Sequence, residues 1–166
     1  MSGFTIIELC LVITLMAILA VAAIPSFQNA AVAQCQGAAY KIANDLSYMR
    51  RLSINRHHNY QLTFDTAHNS YAATYYDMGV GVTTPVTDPL TQESLSIDFE
   101  TLPGISGVDV ISANINGHSI LGFNTNGYPV DSGGTMIAAA ALIQITKGGI
   151  TRTVRVEPYS GEVSIQ

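Results

Sequence analysis

From Phe4 to Ile24 the chain runs 21 residues with a single charge, Glu8. At the helical rise this stretch is about 31 Å long, roughly one bilayer hydrocarbon core. It constrains the fold more than any other feature, because one element must be a long apolar helix placed where apolar side chains are welcome. Glu8 adds a second demand. An ionised carboxylate at the centre of a membrane helix costs about 2.5–3.5 kcal/mol even on insertion scales, so something must offset it. A secretory signal peptide does not fit: no basic residue precedes the run, and the run is too long for an h-region. An ordinary membrane anchor accounts for the length but not for Glu8.

Beyond the run, Pro25 removes one backbone hydrogen bond and predicts a kink. The helix then continues as an amphipathic one. Ile42, Leu46, Met49 and Leu52 recur at spacings of four, three and three, with Lys41, Asp45, Arg50, Arg51 and Asn55 elsewhere on the circumference. The pattern fades at Arg56-His57-His58-Asn59, which predicts a helix of about 54 residues and about 80 Å. On one such helix Cys10 and Cys35 stand about 37 Å apart and cannot pair. Both read as small apolar helix residues.

From Tyr60 the period changes from 3.6 to 2. Tyr60, Leu62 and Phe64 alternate with polar residues, Thr66–Asn69 reads as a turn, and Ser70–Tyr76 as its return strand. A Gly, Thr and Pro-rich loop spans 77–92. Strands are expected at Leu95–Phe99, Gly107–Ser112, Ser119–Asn124, Met136–Thr146, Thr151–Glu157 and Glu162–Ile165, with turns at Asn124–Pro129, Lys147–Gly149 and Tyr159–Gly161. The four alanines within Met136–Thr146 are also compatible with helix. The fold class is therefore α+β. A long N-terminal membrane-spanning helix packs its second half on a mainly antiparallel β-sheet, through Ile42, Leu46, Met49 and Leu52.

Gly3-Phe4-Thr5-Ile6-Ile7-Glu8-Leu9 resembles the class III signal of type IV pilins and type II secretion pseudopilins, with glycine, aromatic, glutamate, apolar run and proline all in register. The resemblance implies that a prepilin peptidase cuts after Gly3, that Phe4 becomes an N-methylated N-terminus, and that Pro25 marks the helix kink. It also implies an offset for Glu8: the methylated amine keeps its positive charge and lies beside Glu8 of a neighbouring subunit, so that Glu8 docks subunits in a filament. The chain would then divide into a leader (1–3), a transmembrane and filament-core helix (4–25), an amphipathic helical half (26–59) and a β-rich domain (60–166).

Two further stretches, Asn44–Ser53 running into Tyr60–Asp65 and Leu121–Gly127 with the Ser160-Gly161-x-Val163 ending, resemble the GspH/FimT minor group. That implies a structural subunit of a type II secretion pseudopilus, or alternatively a minor type IV pilin acting in pilus assembly, adhesion or DNA uptake. The implied partners are other pilin or pseudopilin subunits, prepilin peptidase and the inner-membrane assembly platform. The implied location is the bacterial inner membrane, single-pass, with the domain in the periplasm before incorporation into a periplasmic or surface filament. Two departures stand out. Met1-Ser2-Gly3 has no basic residue, and Gly161 is followed by Glu162 where the family often has arginines.

Charge argues against nucleic acid as a partner. From Tyr60 onward three basic residues, Lys147, Arg152 and Arg155, face ten acidic ones, net −7, whereas polyanion binding needs a basic patch. No catalytic or phosphate-binding motif occurs among His57, His58, His68, His118 and their neighbours, and no cofactor or metal is expected. Asp88, Glu93 and Asp98 match no calcium-loop spacing and read as surface charge.

Overall fold

The computed structural model describes residues 5–77, 82–89 and 91–166, and the side chains of all of these except 21–29 and 77. One helix, α1 (Ile6–Arg56), fills the first third of the chain. It ends where His57 takes a left-handed conformation, φ 54°, the usual way a helix satisfies its last carbonyls. The termination expected at Arg56–Asn59 holds.

Among the described residues ten strands follow: β1 (Asn59–Asp65), β2 (Ser70–Asp77), β3 (Val82–Pro85), β4 (Ser96–Asp98), β5 (Asp109–Asn114), β6 (Ile120–Phe123), β7 (Pro129–Val130), β8 (Ala141–Lys147), β9 (Ile150–Val156) and β10 (Val163–Ile165). They form two antiparallel sheets rather than the single one expected. The first has the order β3-β2-β1-β6-β7, with β4 also paired to β2, and the second the order β10-β9-β8-β5. β3 falls in the expected loop, and β7 starts at Pro129, the last residue of the expected turn. Both are short strands whose partners supply the pairing, a contribution that local propensity does not carry.

Met136–Thr146 is corrected at its start. The strand begins at Ala141, and Ile137 N–H instead donates to the Pro129 carbonyl. The β8–β9 turn falls at Lys147–Gly149 as expected. Gly148 and Gly149 both have positive φ, 57° and 80°, as a two-residue hairpin turn of this hand requires.

α1 lies across both sheets, on β8, β9 and β10 of one and β1 and β6 of the other. Its buried stripe is Cys35, Ala38, Ala39, Ile42, Leu46, Met49 and Ser53, recurring every three to four residues as one helix face does. Ile42, Leu46 and Met49 are buried as expected, while Leu52 is only half-buried at the stripe's edge. The strands that meet the stripe differ from expectation. β8, β10 and β6 share the contact with β1 and β9, and β4, the middle of Leu95–Phe99, is not a main contributor. The alternating side chains Tyr60, Leu62, Phe64 and Ala141, Ile143, Ile145 close the core from the two sheets.

Candidate functional site

The sequence places its candidate site at the start of α1. Thr5 caps the helix: its backbone is extended, φ −88° and ψ 150°, and its hydroxyl accepts from Glu8 N–H at 3.3 Å. Thr5-Ile6-Ile7-Glu8 is a capping-box pattern, a helix-start signal carried by the sequence itself. Glu8 thus sits in the first turn, at the positive end of the helix dipole. That placement stabilises a carboxylate by about 0.3–1 kcal/mol, too little to offset burial in lipid. Gly3 and Phe4 lie outside the described residues. Pro25 falls within the continuous backbone of α1, and its side chain lies outside the described ones.

Every side chain from Thr5 to Ala20 is exposed. Ile6 and Ile7 are 85% and 78% exposed, and Leu9, Leu11, Ile13, Leu15, Met16, Ile18 and Leu19 are each more than half exposed. Among the described side chains the first one fully buried against the domain is Cys35, with Ala31 and Gln34 half-buried before it. A lone chain therefore offers a long apolar surface that nothing in it covers, far beyond the patch an ordinary soluble monomer exposes. Among the described residues no helix is long and apolar enough to cross a membrane. The described apolar side chains run from Ile6 to Ala20, short of the roughly 20 residues that a bilayer needs.

The second half of α1 is fixed by two polar contacts that the periodicity did not reveal. Asp45, read as a surface residue, is only 7% exposed. It pairs with Lys41 at 2.8 Å and accepts from the Tyr71 hydroxyl at 2.6 Å. Arg50, also read as lying away from the contacts, donates Nε to the Gly127 carbonyl at 3.2 Å. The Gly127 turn, φ 79°, lies so close that a Cβ there would stand 2.7 Å from Ile54 Cδ1, and Gly161, φ 64°, sits against Arg50 Nε and the Gly127 carbonyl. Both glycines belong to the stretches that resemble GspH/FimT. Here they are turn tips that let two loops reach the helix.

The cysteines and histidines do not converge on chemistry. Both cysteines are free. Cys35 is buried with its thiol toward the Ile145 and Ile150 carbonyls, and burial pushes its pKa up, as in an inert packing thiol. His57 caps the helix, and His68 pairs with Asp65 at 2.7 Å. His58 lies against Tyr75, ring centroids 5.6 Å apart, with Nδ1 buried. Asp88 and Asp98 accept from backbone N–H groups of their own loops. Among the described residues no three His, Cys, Asp or Glu side chains are grouped so as to hold a metal.

No family model and no curated protein matches the chain. Among solved structures it is similar to the minor pseudopilin EpsH from the type 2 secretion system of Vibrio cholerae. The TM-score is 0.59 at 10% identity, over 80% of this chain and 96% of that one. The fold is pseudopilin-like. At that identity the likeness speaks for the shared architecture: one helix laid across antiparallel sheets.

Proposed function

We propose that the chain is a minor, GspH-like structural subunit of a type II secretion pseudopilus. The observation that carries this reading is the exposed apolar half of α1, headed by Thr5 and Glu8, on a pseudopilin-like domain. The apolar half first holds the subunit in the inner membrane, with the domain in the periplasm. It then packs among the same segments of other pilin or pseudopilin subunits, delivered by the assembly platform. Prepilin peptidase cuts between Gly3 and Phe4, and the methylated Phe4 amine of one subunit pairs with Glu8 of its neighbour. Pro25 bends the helix between its lipid half and its domain half. The role is structural, without a cofactor.

The minor type IV pilin reading shares all of this anchor. Its DNA-uptake version is disfavoured by the net −7 of residues 60–166. Mass spectrometry of subunit recovered from sheared filaments tests the proposal: the first residue should be N-methylated Phe4. A subunit that keeps Met1, or is cut after Ala20–Ala23, would overturn it.

A further inference from the structure

Between the C-terminal turns of α1 and the start of β10 lies an open groove of about 650 Å³. Ser47, Arg50, Arg51 and Ile54 wall one side, and Ser160–Val163 the other. Two of its features lie apart from the exposed N-terminal half of the helix.

The first is charge. Arg50 gives its Nε to the Gly127 carbonyl and Arg51 is exposed. Among the described residues, neither guanidinium forms an ion pair with a carboxylate. Glu162 on the facing wall leaves the groove net positive, beside a domain that is net −7.

The second is a strand edge that starts at the groove, where Val163, the first residue of β10, lines it. β10 is the outermost strand of its sheet. Glu157 N–H donates to the Glu162 carbonyl, and Thr153 and Gln166 exchange both their bonds. In an antiparallel pair these bonded positions alternate, so Val163 and Ile165 turn N–H and C=O toward the free edge. The opposite edge strand, β5, is interrupted by a bulge at Ile111, a device that discourages further pairing. Val163–Ile165 carries no bulge, proline or charge.

We propose that this groove takes an extended acidic polypeptide segment of a partner protein, added as a strand on β10 with its carboxylates on Arg50 and Arg51. Main-chain pairing at Val163 and Ile165 gives the affinity, and the two guanidiniums select for spaced acidic side chains. The contiguous phosphates of a nucleic acid fit less well, since Glu162 repels them and two cations release few counterions. The inference stands apart from the filament reading, because it concerns the opposite end of α1.

The test uses the full chain in detergent micelles and fluorescence anisotropy of a labelled, end-blocked octapeptide of alternating valine and glutamate. Three probes are compared with it: the valine–lysine peptide, the glutamate peptide N-methylated at alternate amides, and an oligothymidylate. The glutamate peptide should bind in a salt-dependent manner, and the other three should bind far more weakly. Arg51→Glu, at an exposed position, should weaken it by about tenfold or more without shifting the melt. No binding of the glutamate peptide, equal binding of any of the other three probes, or an unchanged affinity in Arg51→Glu would each overturn the proposal.

Discussion

The Tyr71 hydroxyl donates to Asp45 Oδ2 at 2.6 Å, joining β2 to the second half of α1. Tyr71 is 1% exposed and Asp45 7%, so this is a polar contact made inside the core. Lys41, one turn earlier on the same helix, neutralises the carboxylate from its half-exposed side. A buried carboxylate is tolerated only when its lone pairs are satisfied.

Tyr71→Phe removes one donor and leaves the carboxylate short of a bond. The expected cost is about 1–3 kcal/mol, the penalty for a buried acceptor that loses a partner. Thermal melts of the variant and the parent measure it. An unchanged melt would mean that water replaces the hydroxyl at no cost.

The same pair sets an alkaline limit. Burial first, then the neighbouring Asp45 charge and the hydrogen bond to it, raise the Tyr71 pKa well above its ordinary value of 10.0. Below pH 10 both folded and unfolded chains hold this proton. Above it the unfolded chain loses the proton first, so stability falls as pH rises. Urea titrations between about pH 9 and pH 11 should show a steeper loss in the parent than in Tyr71→Phe. Parallel curves would contradict this.

Gly127→Ala should destabilise the domain by more than about 1 kcal/mol, since the backbone there has positive φ. The added methyl also meets Ile54 Cδ1 at 2.7 Å. Shortening Ile54 to Ala removes the clash but not the backbone strain. A double-mutant cycle should therefore show partial rescue, and a purely additive cycle would place the whole cost in the backbone.

Much of this architecture was legible. The helix end, the stripe Ile42–Leu46–Met49 and the alternation of β1 follow from periodicity, because burial against a single layer imposes it. Asp45 and Arg50 were misread for the same reason. Polarity alone placed them outside, and only their partners at Tyr71 and Gly127, distant in sequence, bring them in. β3 and β7 escaped notice because strands of four and two residues take their pairing from neighbours. At the N-terminus, Thr5 and Glu8 were readable as a cap. What covers Ile6–Leu19 is not written in the chain's own contacts.

A chain shortened to begin near Gln28 loses that exposed apolar run and should be soluble and monomeric, since full burial among the described side chains starts at Cys35. In it, Leu46→Asp places an unpaired charge in the helix–sheet contact. The expected cost is about 3–5 kcal/mol, comparable to the whole stability of a small domain. The matched control is Arg51→Asp, at an exposed position, and not a change at Arg50, which holds the Gly127 carbonyl. If the Leu46 variant melts like the parent, the stripe does not hold the helix to the sheets.

Glu8→Gln tests the docking charge, and Thr5→Ala separates docking from capping. Helix-end stabilisation of Glu8 amounts to about 0.3–1 kcal/mol against about 2.5–3.5 kcal/mol for burial in lipid, so a partner cation is required if the segment is buried. Removing the charge should ease membrane retention and lower the fraction of subunit found in sheared filaments. Thr5→Ala keeps the carboxylate and removes the hydroxyl that accepts from Glu8 N–H, together with the γ-methyl. It should weaken the first turn by about 1 kcal/mol and leave the filament fraction near that of the parent. If the two variants lose filament incorporation equally, Glu8 acts through the helix cap. If neither does, the carboxylate is not what neighbouring subunits recognise.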